Sequence, residues 1–178
     1  MRSPDRGPST VTVPPLAVIL AAGEGARLRS GLSAIPKPLV RLRGLSLAER
    51  SIAQLLAAGV ERFVVALGYE AERVRSEFER IARRRRFQIA FVVADDWQKG
   101  NGCSAAAAEQ LVGDDPFLLT MVDHLLSPEM IRQVLADPPS AHELTLAVDR
   151  DTDSVFDVSD LTKVDITNGR VTNIGKGL

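Results

Sequence analysis

The sequence predicts an α/β fold, a three-layer α/β/α sandwich with a mostly parallel mixed sheet. Leu16 to Ala21 is a short, continuous run rich in Val, Ile and Leu, as expected of a strand covered on both faces. Phe63 to Leu67, Gln88 to Val93 and Pro116 to Met121 read as further strands, each separated from the last by a stretch that favours a helix. Near the end, Asn168-Gly169 lies between segments that alternate apolar and polar residues, which is a hairpin signal.

Taken in order, the chain opens with the polar stretch MRSPDRGPSTVT, which lacks a secretory apolar region; residues 1–14 read as a loose tail and residues 15–178 as one domain. The strand Leu16 to Ala21 ends in small residues, Ala22, Gly23 and Gly25, followed by Arg27 and by Lys37 between two prolines. Glycines let the backbone turn sharply and approach a bound group, while the N–H groups of such a turn can cradle phosphate oxygens. After a connection at Arg41 to Gly44, Ser46 and Glu49 have capping-box spacing, and Leu47, Ile52, Leu55 and Leu56 mark the buried stripe of a helix that Gly59 ends.

The helix from about Ala71 to Arg84 buries Val74, Phe78 and Ile81. Arg83 to Arg86 suit the negative end of its dipole, and no aromatic residues interleave them for base stacking, so the run reads as surface. After the third strand comes a loop with Asp95, Asp96 and Trp97, then Lys99-Gly100-Asn101-Gly102 and an alanine-rich helix from Cys103 to about Leu111. The fourth strand runs into Val122-Asp123-His124, which puts a carboxylate at a strand C-terminus, where open parallel sheets bind ligands. Ser127 and Pro128 open another helix, Leu144 to Val148 reads as a fifth strand leading to Asp149-Arg150-Asp151, and the hairpin follows.

Composition excludes several functions. Lys plus Arg is 22 and Asp plus Glu is 23, so the net charge of -1 provides no general attraction to nucleic acid or to an anionic membrane. The apolar runs are far shorter than the roughly 18 residues of a membrane span. One cysteine, Cys103, forms no internal disulfide, no Cys/His spacing suggests zinc, and a reducing cytoplasm is expected.

Two familiar glycine loops do not fit. Gly23, Gly25 and Leu28 give G-x-G-x-x-L where a dinucleotide fingerprint needs a third glycine, and Lys37 precedes Pro38 where a P-loop needs Ser or Thr. Leu20 to Leu28 (LAAGEGARL) and Pro36 to Leu39 (PKPL) instead resemble the signature of the nucleotidyltransferases that join a nucleoside triphosphate to a phosphorylated sugar or alcohol. Further along, Lys99 to Gly102, Thr120 to His124, Asp149-Arg150, Val155 to Asp157 and Ile174 to Lys176 together resemble the CTP:inositol-1-phosphate cytidylyltransferases. Val122 departs from the glycine usual in that family before the Asp-His pair.

The resemblance implies transfer of a cytidylyl group from CTP to inositol 1-phosphate, giving CDP-inositol and pyrophosphate. It implies nucleotide contacts at Leu20, Ala21, Ala22, Gly23, Gly25, Arg27, Lys99, Asn101 and Gly102, with Arg27 on the β- and γ-phosphates. Lys37 would lie between the α-phosphate and the acceptor phosphate, Asp123 would hold Mg²⁺, and Lys176 would meet the acceptor phosphate. Asp149 and Arg150 are assigned to the inositol hydroxyls or the metal, with surface loop residues as the alternative, and His124 to orienting Asp123 or lining the pocket.

Such domains usually continue beyond the Ile-Gly-Lys segment, where a second metal-binding Asp arises, so an incomplete C-terminal part is expected. Fusion to or cooperation with a membrane CDP-alcohol phosphotransferase is also implied. Two other readings stay open: a nucleotidyltransferase for another sugar 1-phosphate or phosphocholine, and an inactive nucleotide-binding module.

Overall fold

The computed structural model describes residues 15–25, 35–140, 142–151 and 161–178. The expected tail at 1–14, Arg27 and the segment Val155 to Asp157 lie outside the described residues. The chain divides into two compact units, Met1–Thr145 and Leu146–Leu178.

The first unit is built on four strands: β1 (Leu16–Ala21), β4 (Arg62–Leu67), β5 (Ile89–Val93) and β6 (Phe117–Met121). Their order across the sheet is β5-β4-β1-β6 and every pairing is parallel. β1 is buried at all six positions. Its alternate residues Ala17, Ile19 and Ala21 join one apolar cluster, while Leu16, Val18 and Leu20 join another on the opposite face. That two-sided burial explains why the run reads as continuously apolar.

Two short strands, β2 (Arg41–Leu42) and β3 (Leu45–Ser46), form an antiparallel ribbon in the expected connection. Its turn residues Arg43 and Gly44 both have positive φ, 49° and 84°, the backbone a two-residue hairpin of this hand requires.

Helices α1 (Leu47–Ala57) and α2 (Ala71–Arg85) cover the first face. Ile52 and Leu55 of α1 and Val74, Phe78 and Ile81 of α2 are buried there against Ile19, Val65 and Leu67. Full burial of a side chain of this size contributes about 1.5–3 kcal/mol before cavity and strain effects. Gly59, at φ 94°, ends α1, with its N–H on the Leu56 carbonyl and the Val60 N–H reaching Leu55.

Half of the expected capping box forms. Ser46 Oγ accepts the Glu49 N–H at 3.1 Å, but the Glu49 carboxylate turns to α2, where it accepts from Arg80 at 3.4 Å and from Arg84. Ser46 Oγ donates to Glu77 at 2.7 Å, and Arg80 bonds Glu77 as well. The Arg80 hydrogen bond holds the Glu77 carboxyl below the usual carboxylate range, with Ser46 assisting and burial opposing. Glu49 is 2% exposed, so its two arginines are the partners that keep a buried carboxylate from being stranded. Arg84 therefore ties α2 to α1, unlike the purely surface role expected of its run.

The other face carries α3 (Asn101–Ala106) and α4 (Glu109–Val112), where Ala105, Ala108 and Val112 pack on Leu16, Val18 and Leu20. The expected single helix from Cys103 is thus two. It starts earlier, at Asn101, and breaks where the Ala108 N–H bonds the Ala105 carbonyl, tightening the chain to a three-residue turn. After β6, Ser127 caps α5 (Pro128–Ala136) by accepting the Met130 N–H at 3.2 Å. Ile131 of α5 returns to the first face, completing the three layers.

The expected strand at Leu144 to Val148 does not form: the segment has no ladder partner among the described residues, and Leu144 is 79% exposed. An apolar run without a neighbouring strand leaves its backbone hydrogen bonds to solvent. In the second unit, β7 (Lys163–Thr167) pairs antiparallel with β8 (Arg170–Gly175). Asn168 and Gly169 turn the chain with φ of 51° and 75°.

Candidate functional site

Because β1, β4, β5 and β6 are parallel, the turns that follow them emerge at one edge of the sheet. The chain moves from β1 outward through β4 to β5, then returns to place β6 on the other side of β1. The strand order reverses there, and outside the carboxyl ends at such a reversal lies the usual ligand crevice of an open parallel sheet. The turn after β1 is Ala22 to Gly25, and the turn after β6 contains Asp123.

The main side-chain contact at this reversal joins residues far apart in sequence. Lys37 Nζ donates to Asp123 Oδ2. Lys37 opens a single 3₁₀ turn, Lys37–Leu39, with Pro36 before it and Pro38 second in the turn. The Leu39 N–H bonds the Pro36 carbonyl at 2.9 Å, so the backbone carrying the lysine is locally fixed. Asp123 is fixed from the opposite side: the Val122 N–H continues the β1 ladder to the Leu20 carbonyl at 3.1 Å, and the His124 N–H closes on Met121 at 3.0 Å. Val122 is itself buried, so this turn accommodates a side chain where the resembled family has glycine.

Burial works to raise the Asp123 pKa. The hydrogen bond and charge of Lys37 outweigh it, with smaller help from the residue's own backbone and His124, and hold the carboxyl below its ordinary value. Asp123 is therefore a carboxylate at neutral pH. Both side chains remain partly open to solvent, at 29% for Lys37 and 25% for Asp123, so small anions or cations can reach them.

Gly25 adjoins the lysine. Its φ is 67°, and a Cβ on it would lie 3.0 Å from Lys37 Cβ. Glycine here serves both the left-handed backbone and the close approach. Leu20, Ala21 and Ala22 are buried, at 7%, 2% and 3%, so they can offer a ligand backbone groups only, whereas Gly23 is exposed.

The second glycine segment follows β5. Lys99 forms an exposed ion pair with Asp96 at 3.0 Å, and Asn101 Nδ2 reaches Met121 Sδ at 3.2 Å, linking this segment to the end of β6. Asn101 and Gly102 lie in the first turn of α3, and a Cβ on Gly102 would meet open space. Asp149, Arg150 and Lys176 are exposed in the second unit, where Asp149 Oδ1 accepts the Asp151 N–H at 2.9 Å in a local turn. Of the expected residues, the first unit thus brings together the Ala22 to Gly25 turn, Lys37 and Asp123. Sequence reasoning did not single out Gly68, whose contacts with Ala22 and Trp97 only the fold reveals.

A divalent cation needs hard oxygen donors. Among the described residues no group of three or more His, Cys, Asp or Glu side chains could hold one. Asp123 supplies an ionised, partly open carboxylate, which fits an ion such as Mg²⁺ that binds through one or two carboxylates together with water and substrate phosphates.

The chain is similar to several known proteins. A bifunctional IPC transferase and DIPP synthase from Rubrobacter xylanophilus is 37% identical over 91% of this chain, which covers 35% of that protein. A 2-aminoethylphosphonate cytidylyltransferase from Lancefieldella rimae is 29% identical over 90% of this chain and 61% of its own length. The chain spans about a third of the length of its bifunctional relatives. The solved inositol-1-phosphate CTP transferase from T. maritima superposes with a TM-score of 0.75 at 29% identity, covering 92% of this chain and 64% of that one. Residues 17–155 match the family model of the MobA-like NTP transferase domain, and the chain belongs to that family.

Proposed function

We propose that this chain transfers the cytidylyl group of CTP to inositol 1-phosphate, giving CDP-inositol and pyrophosphate. The Lys37–Asp123 pair at the reversal of strand order is the observation that carries this reading. It sets a cation and a carboxylate beside a glycine turn, the combination needed to hold a triphosphate with a metal ion. The names of the T. maritima structure and of the bifunctional relatives support the choice of nucleotide and acceptor.

In the reaction a phosphate oxygen of inositol 1-phosphate forms a bond to the α-phosphorus of CTP while the bond to the β-phosphate oxygen breaks. The acceptor phosphate has a second pKa near roughly 6, so it is already an anionic nucleophile and needs no general base. Alignment and charge compensation remain for the protein. Lys37 moves its hydrogen bond from Asp123 to the α-phosphate and the incoming phosphate. The Ala22 to Gly25 backbone and Arg27 hold the β- and γ-phosphates, and Lys99, Asn101 and Gly102 hold the base and sugar.

Asp123 is the residue that would hold Mg²⁺, which supplies charge neutralisation on the phosphate oxygens. By resemblance alone, Lys176 is assigned to the acceptor phosphate, and Asp149 and Arg150 to the inositol hydroxyls or the metal. No helix among the described residues is long and apolar enough to cross a membrane. Reaction in the cytoplasm, with the product passed to a membrane CDP-alcohol phosphotransferase, fits the resemblance and the bifunctional naming of the relatives.

A second reading changes the acceptor to a phosphonate, favoured by the similarity to the Lancefieldella rimae protein. Thermal unfolding with each of the four nucleoside triphosphates and Mg²⁺ tests the nucleotide first, because a ligand bound only by the native state raises the midpoint. CTP should give the largest rise; an equal or larger rise with GTP or ATP would exclude a cytidylyl donor. Midpoints with CTP and either inositol 1-phosphate or 2-aminoethylphosphonate then separate the two acceptors.

A further inference from the structure

Gly68, directly after β4, is enclosed on two sides. A Cβ on it would lie 2.6 Å from Trp97 Cγ, 2.8 Å from Trp97 Cδ1 and 2.7 Å from the Ala22 carbonyl oxygen. A rigid ring and a backbone oxygen cannot both withdraw, so only glycine permits this approach. The next residue, Tyr69, donates its N–H to the same Ala22 carbonyl at 2.9 Å, and its ring meets Trp97 edge to face at 6.2 Å.

Trp97 itself opens the 3₁₀ turn Trp97–Lys99, and its carbonyl accepts the Gly100 N–H at 3.3 Å. Gly68 thus lies between the Ala22 carbonyl, where the backbone enters the Ala22 to Gly25 turn, and the indole of Trp97, which begins the turn leading to Lys99 to Gly102. These are the two glycine segments assigned to the nucleotide, one on its phosphates and the other on its base and sugar.

The geometry points to Trp97, seated on Gly68, as a positioning residue that sets the spacing of these two segments and thereby the preference for a pyrimidine over a larger purine nucleotide. The inference rests on the proposed nucleotide site. An indole has only two side-chain torsions and a fixed outline, so it sets a spacing more sharply than a flexible side chain could. Removing it frees the Lys99 to Gly102 turn to shift relative to Ala22. Adding a methyl group at Gly68 drives the ring outward and perturbs the same spacing.

The test compares Trp97→Ala, Trp97→Phe and Gly68→Ala in the full chain, measuring kcat/KM for CTP and for ATP as alternative donors. Trp97→Ala and Gly68→Ala should each lower the CTP-to-ATP ratio by about tenfold, a pocket-shape effect, with KM for CTP rising more than kcat falls. Trp97→Phe, which keeps an aromatic ring on Gly68, should retain most of the ratio. A lower melting temperature with an unchanged ratio would mean that Trp97 only stabilises the fold, and would overturn the inference.

Trp97 is the only tryptophan of the chain, so the unmodified protein supplies a second measurement that no folding defect can confuse. Its emission should change as CTP saturates the site. Calorimetric affinities for CTP and ATP that keep the same ratio in Trp97→Ala would refute the role given to Trp97 while leaving the proposed function standing. Absence of CTP binding in the unmodified protein would instead remove the proposed site, and this inference with it.

Discussion

Replacement of Lys37 by alanine is expected to lower the turnover of cytidylyl transfer by about 10²–10³-fold, the scale found when one preorganised donor to a developing charge is removed. The fold should survive, because the lysine side chain is partly exposed and its backbone turn is held by Pro36, Pro38 and the Leu39 hydrogen bond. The variant should therefore show a normal circular dichroism spectrum beside its lost pyrophosphate release. Lys37→Arg should recover little, since a planar guanidinium is larger than an ammonium and forks where a point charge is needed. Near-normal turnover in Lys37→Ala would remove the residue from the reaction.

Asp123→Asn keeps the shape of the side chain and removes its charge. Charge stabilisation by a bound metal is worth several kcal/mol, so the rate should fall by at least about a hundredfold and lose its dependence on Mg²⁺. An unchanged magnesium titration would count against Asp123 as the metal ligand. The two substitutions should not add in the double variant, because the residues share one hydrogen bond and each single change already disturbs the other partner.

The acid dependence of the pair has a definite sign. Lys37 keeps the Asp123 carboxyl below its ordinary pKa against the effect of burial. The stability gained from the pair is thus present above the unfolded carboxylate value and is lost as pH falls through the lower folded value.

Much of this arrangement was legible from residue order because its causes are local. Leu16 to Ala21 reads as a two-sided strand since both of its faces are covered, and the caps at Ser46, Gly59 and Ser127 act within a few residues of themselves. The alanine-rich stretch after Gly102 misled at its break, where one backbone bond changed from helical to three-residue spacing. Leu144 to Val148 misled for a different reason: a strand depends on a neighbour that composition does not reveal.

The candidate site divides along the same line. Lys37 and Asp123 each stood out by local pattern, but their contact across 86 residues depends on the strand order that sets β6 beside β1. Glu49 shows the same limit, because its capping spacing is local while its arginine partners on α2 are not. Gly68 carries no motif by itself. Its constraint comes from Trp97 and Ala22, which reach it from two other turns.

Cytidylyl transfer is best measured as pyrophosphate release by the purified chain with Mg²⁺, across CTP, UTP, GTP and ATP and with inositol 1-phosphate as acceptor. Release should require CTP, Mg²⁺ and inositol 1-phosphate together. Release of similar size with another nucleotide, or CTP binding without any release, would contradict the proposed function.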